Sequence, residues 1–222
     1  MREEILDDFG SSQSPYAFEE KAERLIYEGY EVRTGFYISR AFEVFQRNAG
    51  GFIGFALVTL AINIGLSFLP IIGNFATTIV NAPLAIGWAI VTSKILREEP
   101  FEFGDFFKGF DLFSPLALGG FISGVLIGIG LILLLIPGIY LAVGYMWVSF
   151  IIYYGKQEFW PAMEFSRKII SKNWFSFLGL GVVILLLNAA GAIVFGIGLL
   201  VTVPVSYIAL YLSYVDIVES LD

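Results

Sequence analysis

Apolar and charged positions divide this chain into alternating blocks. Three runs hold no Asp, Glu, Lys or Arg: Asn48–Ser93, Leu112–Gly155 and Asn173–Val215, of 46, 44 and 43 residues. About 20 apolar residues span a bilayer as a helix. A single helix of ~44 residues would be roughly 66 Å long, about twice the hydrocarbon thickness. Each run is therefore expected to fold back on itself, giving three helical hairpins and six spans; a competing reading, from the apolar tips, is that the hairpins are re-entrant, against which legs of about 20 residues are long enough to cross. The spans are predicted near Phe52–Leu69, Ile71–Ser93, Pro115–Ile136, Gly138–Tyr154, Trp174–Ile197 and Leu199–Val215.

A proline stands near the middle of each run, at Pro70, Pro137 and Pro204, an interval of 67 residues both times. Proline removes a backbone donor and clashes with the preceding turn, and Gly65, Gly73, Gly138 and Gly198 loosen the chain nearby. Pro70, Pro137 with Gly138, and Pro204 are thus expected at the hairpin turns. In the last run Pro204 has a second option, one turn inside the final helix.

The pattern repeats beyond the prolines. Gly128-Ile-Gly-Leu…Pro137-Gly-Ile-Tyr140 aligns with Gly196-Ile-Gly-Leu…Pro204-Val-Ser-Tyr207 after a one-residue gap. Arg47-Asn48-x-x-x-Phe52-Ile-Gly54 matches Lys172-Asn173-x-x-x-Phe177-Leu-Gly179. Repeat units of about 36–96, 104–155 and 158–218 result, arranged around an axis normal to the membrane. They make up a six-span membrane domain over 49–218.

All 13 Lys and Arg residues lie outside the charge-free runs, in Met1–Arg47, Lys94–Asp111 and Lys156–Lys172. Three hairpins bring these segments to one side, which the positive-inside rule makes cytoplasmic. The expected topology is multi-pass in a bacterial inner membrane with both termini cytoplasmic. Between the hairpins, amphipathic segments are expected at the interface. In Phe36–Asn48, Arg40, Glu43 and Arg47 oppose Ile38, Ala41, Phe42 and Phe45. Phe106, Phe107, Phe110 and Phe113 recur at helical spacing, and Phe159, Trp160, Met163 and Ile170 oppose Glu164, Arg167, Lys168 and Lys172. Upstream, 14–48 reads as cytoplasmic or interfacial helices. Ser14-Pro15 opens a helix Pro15–Glu28 with the stripe Phe18, Ala22, Leu25, Ile26. Residues 1–13 read as a disordered tail without a secretory signal.

Composition narrows the chemistry. Hydrophobic residues make up 57% and charged residues 15%, with a mean hydropathy of +0.79. There is no cysteine and no histidine, which removes thiolate chemistry, the usual general base and the commonest metal ligand. No cofactor is expected. The net charge of −7 argues against nucleic acid, because phosphate binding needs an excess of Lys and Arg.

The phrases "ISRAFEVFQRNAGGFIGF", "LLLIPGIYLAVGYMWVSF" and "AMEFSRKIISKNWFSFLGL" resemble bacterial six-span proteins related to the glycerophosphoryl diester phosphodiesterase membrane domain. The resemblance covers residues 36–218. In those relatives the membrane domain accompanies a separate phosphodiesterase domain or stands alone. The 222 residues here leave no room for that domain, so the resemblance implies no hydrolase activity and brings no catalytic residues.

Candidate sites are few. Gly120-x-x-x-Gly124-x-x-x-Gly128 in the third span and Ala192-x-x-x-Gly196 in the fifth permit close helix approach, inside one protomer or as an oligomer interface. Asn63, Asn81 and Asn188 are the polar candidates for a cavity, and Asn81-Ala-Pro83 could open a helix as in transporters; the plainer role is an interhelical hydrogen bond. Trp160, Arg167, Lys168 and Lys172 are candidates for lipid headgroup contact. No ionisable residue lies inside a span, which weakens ion-coupled transport. The expected function is a non-enzymatic scaffold, accessory subunit or lipid-interacting component. Its partners would be the bilayer and a membrane protein or a second copy, held through residues 15–48 or the glycine-rich third span. The alternative is a channel or transporter for a neutral or lipidic substrate.

Overall fold

The computed structural model describes residues 15–69, 72–193 and 196–219. The expectations for the tail 1–13, for Ser14 and for Pro70 lie outside the described residues. The helices are α1 (Pro15–Glu28), α2 (Thr34–Arg47), α3 (Ala49–Ser67), α4 (Ile72–Leu96), α5 (Phe113–Leu133), α6 (Leu135–Gly144), α7 (Val148–Tyr153), α8 (Phe159–Lys172), α9 (Trp174–Ile193) and α10 (Leu199–Tyr214). A 3₁₀ stretch, Phe103–Leu112, precedes α5, and a π-helical turn, Val215–Glu219, follows α10. No strand occurs among the described residues.

Six stretches are long and apolar enough to cross a membrane: Ala49–Ser67, Ala76–Leu96, Phe103–Leu133, Leu135–Tyr153, Trp174–Ile193 and Leu199–Glu219. This is an all-helical, multi-pass membrane protein. The stretches alternate in burial. The second, fourth and sixth are 67%, 44% and 67% buried, against 17%, 28% and 17% for the first, third and fifth. So α4, α6–α7 and α10 form the inner layer, and α3, α5 and α9 pack outside it.

The packing follows one rule around the bundle. Each outer helix lies on the inner helix that follows it and on the inner helix before it: α3 on α4 and α10, α5 on α6 and α4, α9 on α10 and α6. The segment leading into each outer helix lies on that other inner helix too: α2 on α10, the 3₁₀ stretch on α4, α8 on α6 and α7. Fully buried residues four positions after each entry point, Phe52, Leu116 and Phe177, seat the outer helices. Asn48 and Asn173 shape two of these entries alike, with Phe52 N–H and Phe177 N–H each donating to the asparagine carbonyl at 3.2 Å.

The core at the charged end is aromatic. Phe52, Phe55, Trp88 and Phe106 interlock around α4, and Trp88 stacks on Tyr207 of α10 at 5.8 Å. Trp147 meets Phe177 and Tyr214 edge-on. The stripe of α1 is used within the chain: Phe18, Ala22 and Leu25 are buried, with Phe18 against Phe165 of α8 at 5.5 Å.

Two prolines stand elsewhere than at a turn's centre. The connection from α5 to α6 is the single residue Leu134, and Pro137 already lies in the first turn of α6. Pro204 is buried inside α10, as the second option had it. Gly196, aligned above with Gly128, has φ +74° in the connection before α10, while Gly128 lies within α5. The 67-residue alignment therefore pairs positions that differ in structure. A register of 125 residues pairs matching ones instead: Asn48 with Asn173, Phe52 with Phe177, and Gly73 with Gly198.

Candidate functional site

Four polar residues of the spans form two pairs, while the hydroxyls of Thr59, Thr92, Ser123 and Thr202 are buried without a hydrogen-bond partner. Asn63 of α3 and Asn81 of α4 exchange amide hydrogen bonds at 3.1 and 3.0 Å, and Asn63 also donates to the Thr59 carbonyl at 2.8 Å. Asn188 of α9 instead donates to Ser206 of α10 at 2.8 Å and to the Ile184 carbonyl at 2.9 Å. Ser206 in turn donates to the Thr202 carbonyl at 2.7 Å. Both pairs join residues 18 apart, and the second lies 125 residues after the first. The structure thus joins Asn63 to Asn81 but gives Asn188 a different partner. Ser206 was missed in the sequence; the shared spacing of 18 was the signal for it. Helix α4 runs through Pro83 without opening. Pro83 lies against Gly109 of the 3₁₀ stretch, where a Cβ would meet the Pro83 carbonyl oxygen at 2.1 Å.

A real break occurs where none was expected. The span Gly138–Tyr154 is interrupted at 145–147, between α6 and α7. Ser166 of α8, fully buried, fills the gap: its hydroxyl donates to the Gly144 carbonyl at 2.7 Å and accepts from Trp147 N–H at 3.3 Å. Trp147 Nε1 donates to Ser213 of α10 at 3.1 Å. Broken helices in membranes persist only where neighbours satisfy the freed backbone groups, and Ser166 does so here. Residues 144–148, Gly-Tyr-Met-Trp-Val, contain no proline, so the break is imposed by tertiary contacts.

At the charged end, ion pairs tie the segments together. Arg33 forms an ion pair with Asp216, which also accepts from Tyr37 OH at 2.7 Å. The Asp216 hydrogen bond holds the Arg33 guanidinium above its ordinary range. Burial, reinforced by that carboxylate, pushes the Tyr37 hydroxyl up. Asp105, buried in the 3₁₀ stretch, takes Lys94 at 2.8 Å and Lys108 at 2.5 Å.

The lipid-contact candidates divide. Trp160, Lys168 and Lys172 are exposed. Arg167 forks onto Glu164 through three hydrogen bonds of 2.7–3.1 Å, so its charge is matched within α8. Lys172 borders a groove of about 690 Å³ that it shares with Glu20, Glu23, Arg24, Tyr27 and Glu28 of α1. Of the helix-packing candidates, Gly120 and Gly124 seat α5 on α4 inside the protomer. A Cβ on them would meet Ala82 at 2.8 Å and Thr78 at 3.0 Å, whereas nothing approaches Gly128 within 4 Å. Ala192 and Gly196 form a helix end, with Gly196 N–H donating to the Ala192 carbonyl at 3.0 Å. Close approach falls instead between Gly191 and Gly198 and between Gly130 and Gly138.

Among the described residues, no group of three acidic side chains gathers to hold a metal ion. Comparison with known family models, curated proteins and solved structures finds no match.

Proposed function

We propose that this chain is a non-enzymatic scaffold or accessory subunit of a bacterial inner membrane. It is built of three hairpin units turned about an axis normal to the bilayer, with both termini cytoplasmic. The observation that carries this reading is the pairing of polar groups: Asn63 with Asn81 and Asn188 with Ser206. Side chains engaged in this way stabilise helix contacts, and of the four only the Asn188 amide has a buried oxygen left without a partner. The shared packing rule of the three outer helices supports the rotational arrangement, and the distribution of Lys and Arg supports the orientation. The phrase-level resemblance to the phosphodiesterase-associated membrane domains agrees with such an accessory role.

The contact surface is the outward face of α1. Tyr16, Glu20, Glu23 and Tyr27 recur at helical spacing, and the two tyrosines are 80% and 88% exposed. The segment carries Glu19, Glu20, Glu23, Glu28 and Glu31 against Lys21 and Arg24, so an anionic leaflet repels it and a basic protein segment suits it. Gentle membrane extraction followed by mass spectrometry of bound proteins and lipids tests the reading. A stoichiometric protein supports it, and a retained small molecule with no protein favours the channel or transporter.

A further inference from the structure

Among the described residues, the turn between α5 and α6 carries the longest unbroken run of exposed large apolar side chains. Ile132, Leu133, Leu134, Leu135 and Ile136 are all 65–85% exposed, and no polar side chain interrupts them. In a water-exposed loop this run would be costly. A turn placed in hydrocarbon faces the opposite demand, since its backbone groups have no water to bond.

The backbone here meets part of that demand, by keeping the turn to one residue and bonding that residue on both sides. Only Leu134 leaves helical geometry, at φ −154° and ψ 123°. Its N–H donates to the Gly130 carbonyl at 3.0 Å, and its carbonyl accepts from Gly138 N–H at 3.4 Å. Proline at position 137 removes one of the donors that a first helical turn leaves unpaired. Glycine at 130 and 138 allows the two legs to close, because a Cβ on Gly130 would lie 2.9 Å from the Gly138 Cα. The apolar surface is also continuous with the outer helix α5, whose Val125, Ile129 and Leu131 are exposed.

We propose that Ile132–Ile136 is a lipid-inserted tip, seated among acyl chains of the leaflet opposite the charged end, with no aqueous loop on that side of this turn. Acyl chains fit better than a protein groove because the tip lacks a side chain able to make a directional contact. On this account Pro137 serves to keep an unpaired N–H out of hydrocarbon.

The natural chain has no cysteine, so Leu134→Cys and Leu135→Cys each introduce a single thiol, and Lys168→Cys gives a water-exposed reference. The purified variants are reconstituted into phosphatidylethanolamine–phosphatidylglycerol vesicles, with a membrane-impermeant maleimide supplied to both aqueous faces. Thiols at 134 and 135 should react at least tenfold more slowly than the thiol at 168, and equal rates overturn the proposal. A bimane fluorophore on the cysteine at 134 should be quenched by brominated acyl chains and spared by aqueous iodide; the reverse pattern also overturns it. Protection in cells that is lost in the pure-lipid vesicles would assign the tip to a protein partner and reject insertion.

Discussion

Asn63 and Asn81 close on each other across the α3–α4 contact with two amide hydrogen bonds, at 3.1 and 3.0 Å. An amide left alone in this setting loses its partner without gaining water. Asn63→Leu or Asn81→Leu alone should therefore destabilise the protein by about 1–2 kcal/mol, and the double substitution should cost less than the sum of the two. Unfolding of the four proteins in one detergent gives the coupling. Additive costs would mean that the pair contributes nothing as a pair.

Ser166 makes a second prediction. Replacing it by Ala removes only the hydroxyl and leaves the Gly144 carbonyl and the Trp147 N–H without their bonds. The expected loss is about 2–4 kcal/mol, from two buried backbone groups at ~1–3 kcal/mol each with partial relaxation. Ser176→Ala, at an exposed position of α9, is the control and should change stability by less than ~0.5 kcal/mol.

The glycines of α5 should respond in opposite ways. Gly120→Val places a branched side chain against Ala82 and should lower the thermal midpoint by several degrees, at a cost of about 1–3 kcal/mol. Gly128→Ala meets nothing within 4 Å and should be neutral or stabilising by up to ~1 kcal/mol, since alanine is the better helix former. A thermal melt of each variant decides it.

The latch between Arg33 and Asp216 is half-exposed on the arginine side, so it is worth at most ~1 kcal/mol. Asp216→Asn should leave the global unfolding midpoint within about a degree or two. It should also raise hydrogen exchange in 29–37, where Tyr37 loses its charged acceptor. Exchange unchanged in that segment would show that the ion pair does not hold it.

The spans were legible because charge is excluded from hydrocarbon at every position, so three uncharged runs of 43–46 residues mark six stretches long and apolar enough to cross without any contact being known. The positions of the polar pairs were half legible. Asn63, Asn81 and Asn188 were visible as polar residues in apolar segments, but Ser206 was not, because a serine inside a helix ordinarily satisfies itself on its own backbone. The prolines misled for a related reason. Pro137 lies in the first turn of α6, where proline removes a donor that is unpaired in any case, whereas Pro204 lies inside α10, so these two prolines hold different structural positions. Glycine at 73, 138 and 198 marks the second leg after each turn more consistently. The break at 145–147 had no local signature, as Ser166 creates it from another helix. Arg167 stands in a basic cluster of the sequence, but its charge is matched by the fork onto Glu164, three residues earlier.

The most direct test of the scaffold account compares the native chain with Glu20→Lys/Glu23→Lys after gentle extraction from its own membrane, with bound proteins and lipids quantified by mass spectrometry. Both side chains lie on the exposed face of α1, so the variant should fold. The account predicts a stoichiometric protein partner with the native chain that falls at least tenfold with the variant. A native chain that emerges without protein but with one stoichiometric small molecule, equally retained by the variant, would contradict it.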